Sequence, residues 1–229
     1  MTREPTASPF TDAAAVARYA EGPPRLVPGF VDLHRMTALL LAERAPPDAR
    51  VLVLGAGGGL ELRSLAQAQP GWTFVGVDPA AEMLELAQQT LGPPASRVDW
   101  HCGYVADAPT GPFDAATCLL TLHFVNVAER QRTLREMHRR LKPGAPLVVA
   151  HFSIPQGQSQ RATWLARYAA FAVSNGIEPE QAESARAAIE ARLPILSPEQ
   201  DEAMLQAAGF QEIGLFYAGL AFRGWIAYA

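Results

Sequence analysis

Short apolar runs alternate with amphipathic segments along the first two thirds of the chain. Five of the runs are too short to form helices, and they predict buried strands at 50–54, 73–77, 97–102, 115–119 and 147–152. Between these runs, apolar residues recur at helical spacing, as they do at Leu60, Leu62, Leu65 and Ala66. Strands that alternate with helices predict an α/β fold with a parallel sheet covered on both faces.

The alternation stops after the fifth strand. Residues 159–193 have a helical pattern with a break near Asn175-Gly176, and a capped helix follows at 197–208. Two apolar runs, 213–217 and 222–227, are then separated by too few residues for a crossover, so they predict an antiparallel hairpin. The sequence therefore predicts a Rossmann-like sheet of seven strands, mostly parallel and closed by a C-terminal hairpin.

The length of 229 residues suits one domain that spans the whole chain. We predict an N-terminal helical cap at 1–48, with a short helix at 12–19, and a helical insertion at 157–194. The insertion is predicted to form a lid over the site or a homodimer contact, with packing on the sheet as the alternative. The leading segment has two interpretations, a contribution to the substrate pocket or ordinary packing on the sheet.

Charge and composition limit the kinds of partner that we expect the protein to have. The net charge of −4 argues against a broad electrostatic contact with nucleic acid. No apolar run is long enough to span a membrane and the first residues lack an apolar signal region, so a cytoplasmic protein is expected. Cys102 and Cys118 fall in strands that we expect to be adjacent, where they predict buried thiols, and no metal-ligand spacing is present.

The first strand ends in a glycine-rich turn and the second in a carboxylate. The turn is Gly55-Ala56-Gly57-Gly58-Gly59, and Asp78 follows about 20 residues later, the spacing at which a βαβ unit holds a ribose. Glycines let the backbone approach a ligand, and the next helix offers free N–H groups at its N-terminus. A dinucleotide fingerprint would need glycine at Leu60. These features indicate a nucleoside cofactor other than a dinucleotide.

The spacing Gly55-x-Gly57-x-Gly59 resembles the first motif of class I S-adenosylmethionine (SAM) methyltransferases. The resemblance extends over nearly the whole chain through Gly76-Val77-Asp78, Phe113-Asp114-Ala115, Leu141-Lys142-Pro143-Gly144 and Ala208-Gly209-Phe210. Val27-Pro28-Gly29-Phe30 and the segment 176–210 resemble the branch that contains the carboxy-SAM synthases, which load SAM for tRNA wobble-uridine modification. The resemblance implies SAM as the cofactor.

The resemblance also implies a set of cofactor contacts. They are Gly55, Ala56, Gly57, Asp78, Pro79, Met83, Tyr104, Val105 and Leu119. Asp78 is expected to hold the ribose hydroxyls. The backbone N–H of Val105 is expected to donate a hydrogen bond to an adenine nitrogen. For Met83, plain core packing is the alternative. Val53 departs from the pattern, because the family often has an acid there.

The sequence indicates the residues that would bind or activate the methyl acceptor less specifically than it indicates the cofactor contacts. A general base is needed only if the acceptor is protonated, and the weak candidates are His123, His151 and His34, for each of which packing is the alternative. The candidate substrate-binding residues are Phe30, His34, Trp164, Tyr168 and Arg186. Arg186 falls near the carboxylate-binding arginine of carboxy-SAM synthases, but it could instead pair with Glu183 or Glu190 at helical spacing.

Three functions follow as hypotheses. The first is in-line transfer of the sulfonium methyl to a small-molecule acceptor, since Phe30 and Leu119 replace the tyrosine and asparagine of the carboxy-SAM enzymes. The second is carboxy-SAM formation, which turnover of prephenate would reveal. The third is a non-catalytic SAM-binding protein.

Overall fold

The structure is a computed structural model that describes residues 19–229, apart from the side chain of Ala20. Most of the predicted helix at 12–19 lies outside the described residues. Within them, eight α-helices are α1 Gly22–Leu26, α2 Phe30–Ala42, α3 Leu60–Ala68, α4 Ala81–Leu91, α5 Val127–Arg140, α6 Gln158–Ser174, α7 Pro179–Arg192 and α8 Pro198–Ala207. The strands are β1 Arg50–Leu54, β2 Thr73–Asp78, β3 Val98–Cys102, β4 Ala115–Leu119, β5 Pro146–Phe152, β6 Gln211–Gly219 and β7 Phe222–Tyr228.

The seven strands form one sheet in the order β3-β2-β1-β4-β5-β7-β6. The first five strands run parallel to one another, whereas β7 is antiparallel to β5 and β6 is antiparallel to β7. The predicted Rossmann-like fold with a C-terminal hairpin is therefore confirmed. The chain order reverses between β1 and β4, and ligands of open α/β sheets bind at such a switch point.

Both faces of the sheet are buried, which explains why its strands are short continuous apolar runs. Along β1, Val51 and Val53 belong to a core cluster with residues of α2 and α3. The alternate residues Leu52 and Leu54 belong to a second cluster, which includes residues of α5 and α8. The helices thus cover both faces of the sheet. Only the ends of the strands are left open, and a ligand site can form there.

Side-chain caps fix the starts of two helices. The Asn126 side chain accepts a hydrogen bond from the Glu129 backbone N–H over 3.0 Å at the start of α5. Ser197 and Gln200 form a reciprocal capping box at the start of α8. The start of α8 agrees with the sequence prediction.

The helical pair α6–α7 is attached to the sheet. Gly176 lies between the two helices with φ +81°, where the sequence predicts a break. Tyr168 of α6 is buried, and its ring lies 5.2 Å from that of Phe152 at the end of β5 and 6.2 Å from that of Phe222 in β7. One face of α6 is therefore used for packing, and the lid and homodimer roles stay predictions.

The expectation that both cysteines are buried in adjacent strands is wrong. β2 and β1 separate β3 from β4, because β4 joins the sheet on the far side of β1. Cys102 is the last residue of the edge strand β3 and is exposed, whereas Cys118 is buried in β4. Burial raises the pKa of the Cys118 thiol well above its ordinary value.

Within residues 19–229, none of the helices combines the length and the hydropathy that crossing a membrane requires. The same residues bring together no cluster of histidine, cysteine and acidic side chains suited to a metal ion.

Candidate functional site

A cavity of about 430 Å³ opens at the carboxyl ends of β1, β2, β3 and β4. Its volume is that of a small-molecule or cofactor site. Gly55 and Gly57 contribute from the turn after β1, Asp78 from the end of β2, and Tyr104 from the loop after β3. The segment after β4 supplies the wall from Leu119 to Leu122, together with Phe124 and Val125. The cavity therefore lies at the switch point of the sheet.

The turn after β1 is a tight cradle. The backbone N–H groups of Gly55 and Ala56 donate to the Val77 carbonyl over 2.8 and 3.0 Å, which fixes the turn against β2. Gly55 has φ +75°, and a Cβ added to it would lie only 1.9 Å from Thr121 Oγ1. Position 55 therefore requires glycine for both its conformation and its close contact with the chain after β4.

Gly55→Ala is expected to destabilise the protein by about 2–4 kcal/mol, because the methyl group must displace Thr121 and the backbone is strained. Urea unfolding measures the loss, and SAM titration of the folded variant should show weakened binding. Gly22→Ala is the matched control, since nothing lies within 4 Å of its added Cβ. Equal stability of the two variants would contradict the close approach at Gly55.

Asp78 joins the glycine turn to the end of β2. Its Oδ2 accepts a hydrogen bond from the Gly57 N–H and its Oδ1 one from the Ala80 N–H, each over 3.0 Å. Burial raises the pKa of Asp78, and these two backbone hydrogen bonds oppose the rise. Each carboxylate oxygen keeps a further acceptor position. Asp78 can thus bind the hydroxyls of a ribose while it holds the turn in place.

The predicted cofactor residues lie together. Eight of the nine line the large cavity, and Ala56 lines a smaller cavity that adjoins it. Met83 is buried and packs with Ala80, and it also lines the large cavity. Its side chain therefore belongs both to the core and to the cavity wall. Tyr104 is 67% exposed and stands at the rim. Their contacts with a cofactor stay predictions.

The smaller cavity has a volume of about 30 Å³. Phe30 and His34 of α2 and Glu61 of α3 line it beside the glycine turn. The His34 ring lies 4.4 Å from that of Phe30, and burial, with the nearby Arg63 charge, lowers the pKa of His34 to about 4. His34 is therefore neutral at pH 7.

Glu61 is a site residue that the sequence analysis missed. It is 6% exposed, and burial raises the pKa of its carboxyl group to about 8, against the opposing effect of the Thr117 hydroxyl. Glu61 lies four residues before the buried Leu65, so the helical spacing alone places it on the apolar face of α3. An acid at such a position is the signal that could have identified it.

The raised pKa of Glu61 predicts a pH-dependent stability. Between the unfolded pKa near 4.5 and the folded pKa of about 8, the folded chain holds one more proton than the unfolded chain. Unfolding is therefore favoured as pH rises through this window, by roughly 3 kcal/mol between pH 5 and 8. Glu61→Gln should remove this slope in urea unfolding, whereas the exposed control Glu85→Gln should keep it. Equal slopes in all three proteins would contradict the raised pKa.

The two histidines predicted near the strand ends lie behind the cavity wall. His123 is 4% exposed, accepts a 3.4 Å hydrogen bond from the Phe152 N–H through Nδ1, and has a pKa lowered well below its ordinary value by burial. His151 Nε2 lies 3.1 Å from Asp201 Oδ1. Neither side chain lines either cavity, and a role as general base stays a prediction for both.

Three predicted substrate residues lie away from both cavities. Trp164 stacks with the guanidinium groups of Arg167 and Arg223, at 4.4 and 5.2 Å, and Tyr168 packs as described above. Arg186 donates to Glu183 and Glu190 on its own helix, with shortest distances of 2.7 Å to each. The alternative proposed for Arg186, an ion pair on the helix surface, is the arrangement in the structure. Phe30 and His34 do line the smaller cavity.

Several other lining residues were not predicted. Five of them follow β4, where the switch-point rule could have indicated them: Leu120, Thr121, Leu122, Phe124 and Val125. Tyr19 lines both cavities from the N-terminal side, and burial next to Asp78 and Glu61 raises its pKa to about 12. No periodicity in the sequence points to Tyr19.

Comparison with known proteins agrees with this geometry. Residues 51–144 match a family described as a methyltransferase domain. The chain is 28% identical over 212 residues to a carboxy-S-adenosyl-L-methionine synthase of Methylococcus capsulatus, covering 89% of this chain and 86% of that protein. It is 31% identical over 115 residues to a ubiquinone/menaquinone biosynthesis C-methyltransferase of Geotalea daltonii, covering 48% of each.

A solved structure shows the same fold. Human N-acetylserotonin methyltransferase, crystallised in complex with SAM, matches with a TM-score of 0.68 and 14% identity, over 96% of this chain and 57% of that chain. The glycine cradle, the acceptor oxygens of Asp78 and the cavity volume fit the adenosine part of SAM. The chain therefore has the fold of SAM-dependent methyltransferases and matches a methyltransferase domain over residues 51–144, and its site fits SAM as the cofactor.

Proposed function

We propose that this enzyme transfers the sulfonium methyl group of SAM to a small, largely apolar acceptor. The observation that carries the proposal is the wall of the large cavity beyond β4. Leu120, Leu122, Phe124 and Val125 make it largely apolar, with Thr121 as its polar residue, and among the described residues no lysine, arginine or histidine lines this cavity. Such a wall suits a largely apolar acceptor and excludes water from the reaction.

SAM supplies an activated methyl group, because the sulfur to which it is bonded is positively charged. The protein has to hold the two reactants in line and exclude water. The glycine turn and Asp78 hold the nucleoside end, and Met83 and Val105 enclose it. The apolar residues after β4 then orient the acceptor.

The titratable groups around the cavity restrict the kind of acceptor. Tyr19, with a pKa raised to about 12, remains protonated at neutral pH, and His34, with a pKa lowered to about 4, is a weak base in the adjoining cavity. Neither has the pKa near 7 that suits a general base. Glu61, with a pKa of about 8, lies in the smaller cavity and does not line the large one. We therefore expect an acceptor that becomes nucleophilic through its own ionisation, such as a thiol or an acidic phenol.

A second candidate is carboxy-SAM formation, since the Methylococcus relative bears that name. A carboxylate on the transferred group would need a cationic partner. Arg186 is occupied by Glu183 and Glu190, and Leu119 offers no polar group to the cavity. These contacts favour methyl transfer.

Mass spectrometry of the products separates the candidates. We would incubate the protein with SAM and a panel of thiols, amines and phenols, and separately with SAM and prephenate. Methyl transfer produces S-adenosylhomocysteine together with an acceptor heavier by one methylene unit. Formation of carboxy-SAM with prephenate, and none of the methylated acceptors, would overturn the proposal. SAM binding without either product would favour a non-catalytic role.

A further inference from the structure

Glu61 is an acid whose surroundings do not complete its hydrogen bonding. It lies in the first turn of α3, directly after the glycine turn, and is 6% exposed. Within residues 19–229, its buried Oε1 has no hydrogen-bond partner. A buried oxygen without a partner is costly whether or not the carboxyl group is ionised, so this position is suited to a group from outside the described residues.

The cavity next to Glu61 fixes the size of that group. Its volume of about 30 Å³ accommodates a single group about as large as a water molecule. It shares Tyr19, Gly55, Gly57, Leu119 and Leu120 with the large cavity, so the two are neighbouring parts of one site. An ammonium group has the required size and can donate three hydrogen bonds.

Gly57 lies between the smaller cavity and the part of the site where the nucleoside is expected to bind. The Gly57 N–H donates to Asp78, and Gly57 also lines the cavity that contains Glu61. A ligand whose ribose is held by Asp78 can therefore extend past the glycine turn toward Glu61. In SAM, the group that extends from the ribose is a methionine residue with an α-ammonium group.

The groups that face Glu61 supply no positive charge. They are Tyr19 from the N-terminal side, His34 from α2, and Thr117 from β4. His34 and Tyr19 are neutral at pH 7, since burial lowers the pKa of the first to about 4 and raises that of the second to about 12. The Arg63 charge acts on His34 in the same cavity, but within residues 19–229 the Glu61 Oε1 has no partner. A cation that pairs with the ionised form of Glu61 must then come with the ligand.

We propose that Glu61 binds the α-ammonium group of SAM. The inference rests on SAM binding and not on the identity of the acceptor, so it holds for methyl transfer and for carboxy-SAM formation alike. It gives the two ends of the cofactor separate acidic anchors, Asp78 for the ribose and Glu61 for the amino acid.

Calorimetric titration with three thioethers tests the proposal. S-adenosylhomocysteine carries the ammonium and the carboxylate, S-adenosyl-3-thiopropylamine carries only the ammonium, and 5′-methylthioadenosine carries neither. Glu61→Gln should weaken the first two by at least about tenfold and change the third by less than about twofold. The control Glu85→Gln, exposed on α4, should bind all three as the original protein does.

Proton exchange gives a second readout on the unsubstituted protein. At pH 6.5 the Glu61 carboxyl is protonated, because its pKa is about 8, and pairing with an ammonium group requires it to ionise. Titrations in buffers of different ionisation enthalpy should show about one proton released with each ammonium-bearing ligand and none with 5′-methylthioadenosine. This comparison stands even if Glu61→Gln folds poorly.

Three outcomes would overturn the proposal. They are equal affinity of the original protein and Glu61→Gln for S-adenosylhomocysteine, equal weakening of all three ligands, and proton release that does not depend on the ammonium group. Failure of the original protein to bind any of the three would instead contradict the assignment of SAM, and this inference with it. Methylation activity is not needed for any of these measurements.

Discussion

Asp78→Ala is expected to weaken SAM binding about 100-fold. The carboxylate can accept a hydrogen bond from each ribose hydroxyl, and two hydrogen bonds to a charged group contribute about 3 kcal/mol. Asp78 also accepts from the Gly57 and Ala80 N–H groups, so its removal loosens the turn that cradles the ligand. Binding thus loses both direct contacts and preorganisation.

Asp78→Asn separates these two contributions. Asparagine keeps one acceptor oxygen, but its amide group faces an N–H donor where the carboxylate had a second acceptor. We expect an intermediate loss of affinity in calorimetric titration. Glu82→Gln, an exposed acid on the neighbouring helix α4, serves as the control and should bind SAM normally. A loss below about threefold for Asp78→Ala would contradict the ribose-binding role.

The strands and their contribution to the site could be predicted because the local pattern is strong. Residues 51–54 are apolar and buried, and 115–119 are buried throughout with Thr117 as the one polar residue, so the observed strands have the predicted bounds. The glycine turn and Asp78 were predictable for a related reason. Their chemistry depends on a conformation and a spacing that a few neighbouring residues determine.

Residues brought together by strand order could not be predicted in the same way. Cys102 was expected beside Cys118, but the periodicity of a strand does not say which neighbour it pairs with. Thr121 contacts Gly55 only because β4 joins the sheet beside β1. Tyr19 likewise lines the cavity through a contact across the fold that no local spacing encodes.

Arg186 shows the opposite case, in which local spacing was the better guide. Glu183 and Glu190 stand three residues before it and four after it, and the structure has both ion pairs. The resemblance to carboxy-SAM synthases predicted that Arg186 binds a carboxylate of the ligand. The helical spacing instead predicted the ion pairs that the structure contains. The interpretation from elementary geometry therefore carries more weight for an isolated arginine on a helix.

The largest loss of stability is expected from Asp201→Ala. Arg130 and Asp201 form an ion pair at 3.0 Å with side chains that are 1% and 2% exposed, and it joins α5 to α8. Arg130 also donates to the Pro194 carbonyl, and His151 Nε2 lies 3.1 Å from the same Asp201 oxygen. Removing Asp201 leaves a guanidinium group buried without its carboxylate, which costs about 3–5 kcal/mol.

The cost of breaking this pair is not the same as its contribution to stability. Replacing both partners by apolar residues, as in Arg130→Met with Asp201→Leu, removes both charges and should restore much of the stability that Asp201→Ala loses. Urea unfolding at pH 7 measures this, with coincident fluorescence and circular dichroism transitions as the two-state check. The exposed pair of Arg132 with Glu129 gives the control, and Arg132→Gln should change stability by less than about 1 kcal/mol. A loss below about 1 kcal/mol for Asp201→Ala would mean that Arg130 reaches water or another acceptor once its partner is gone.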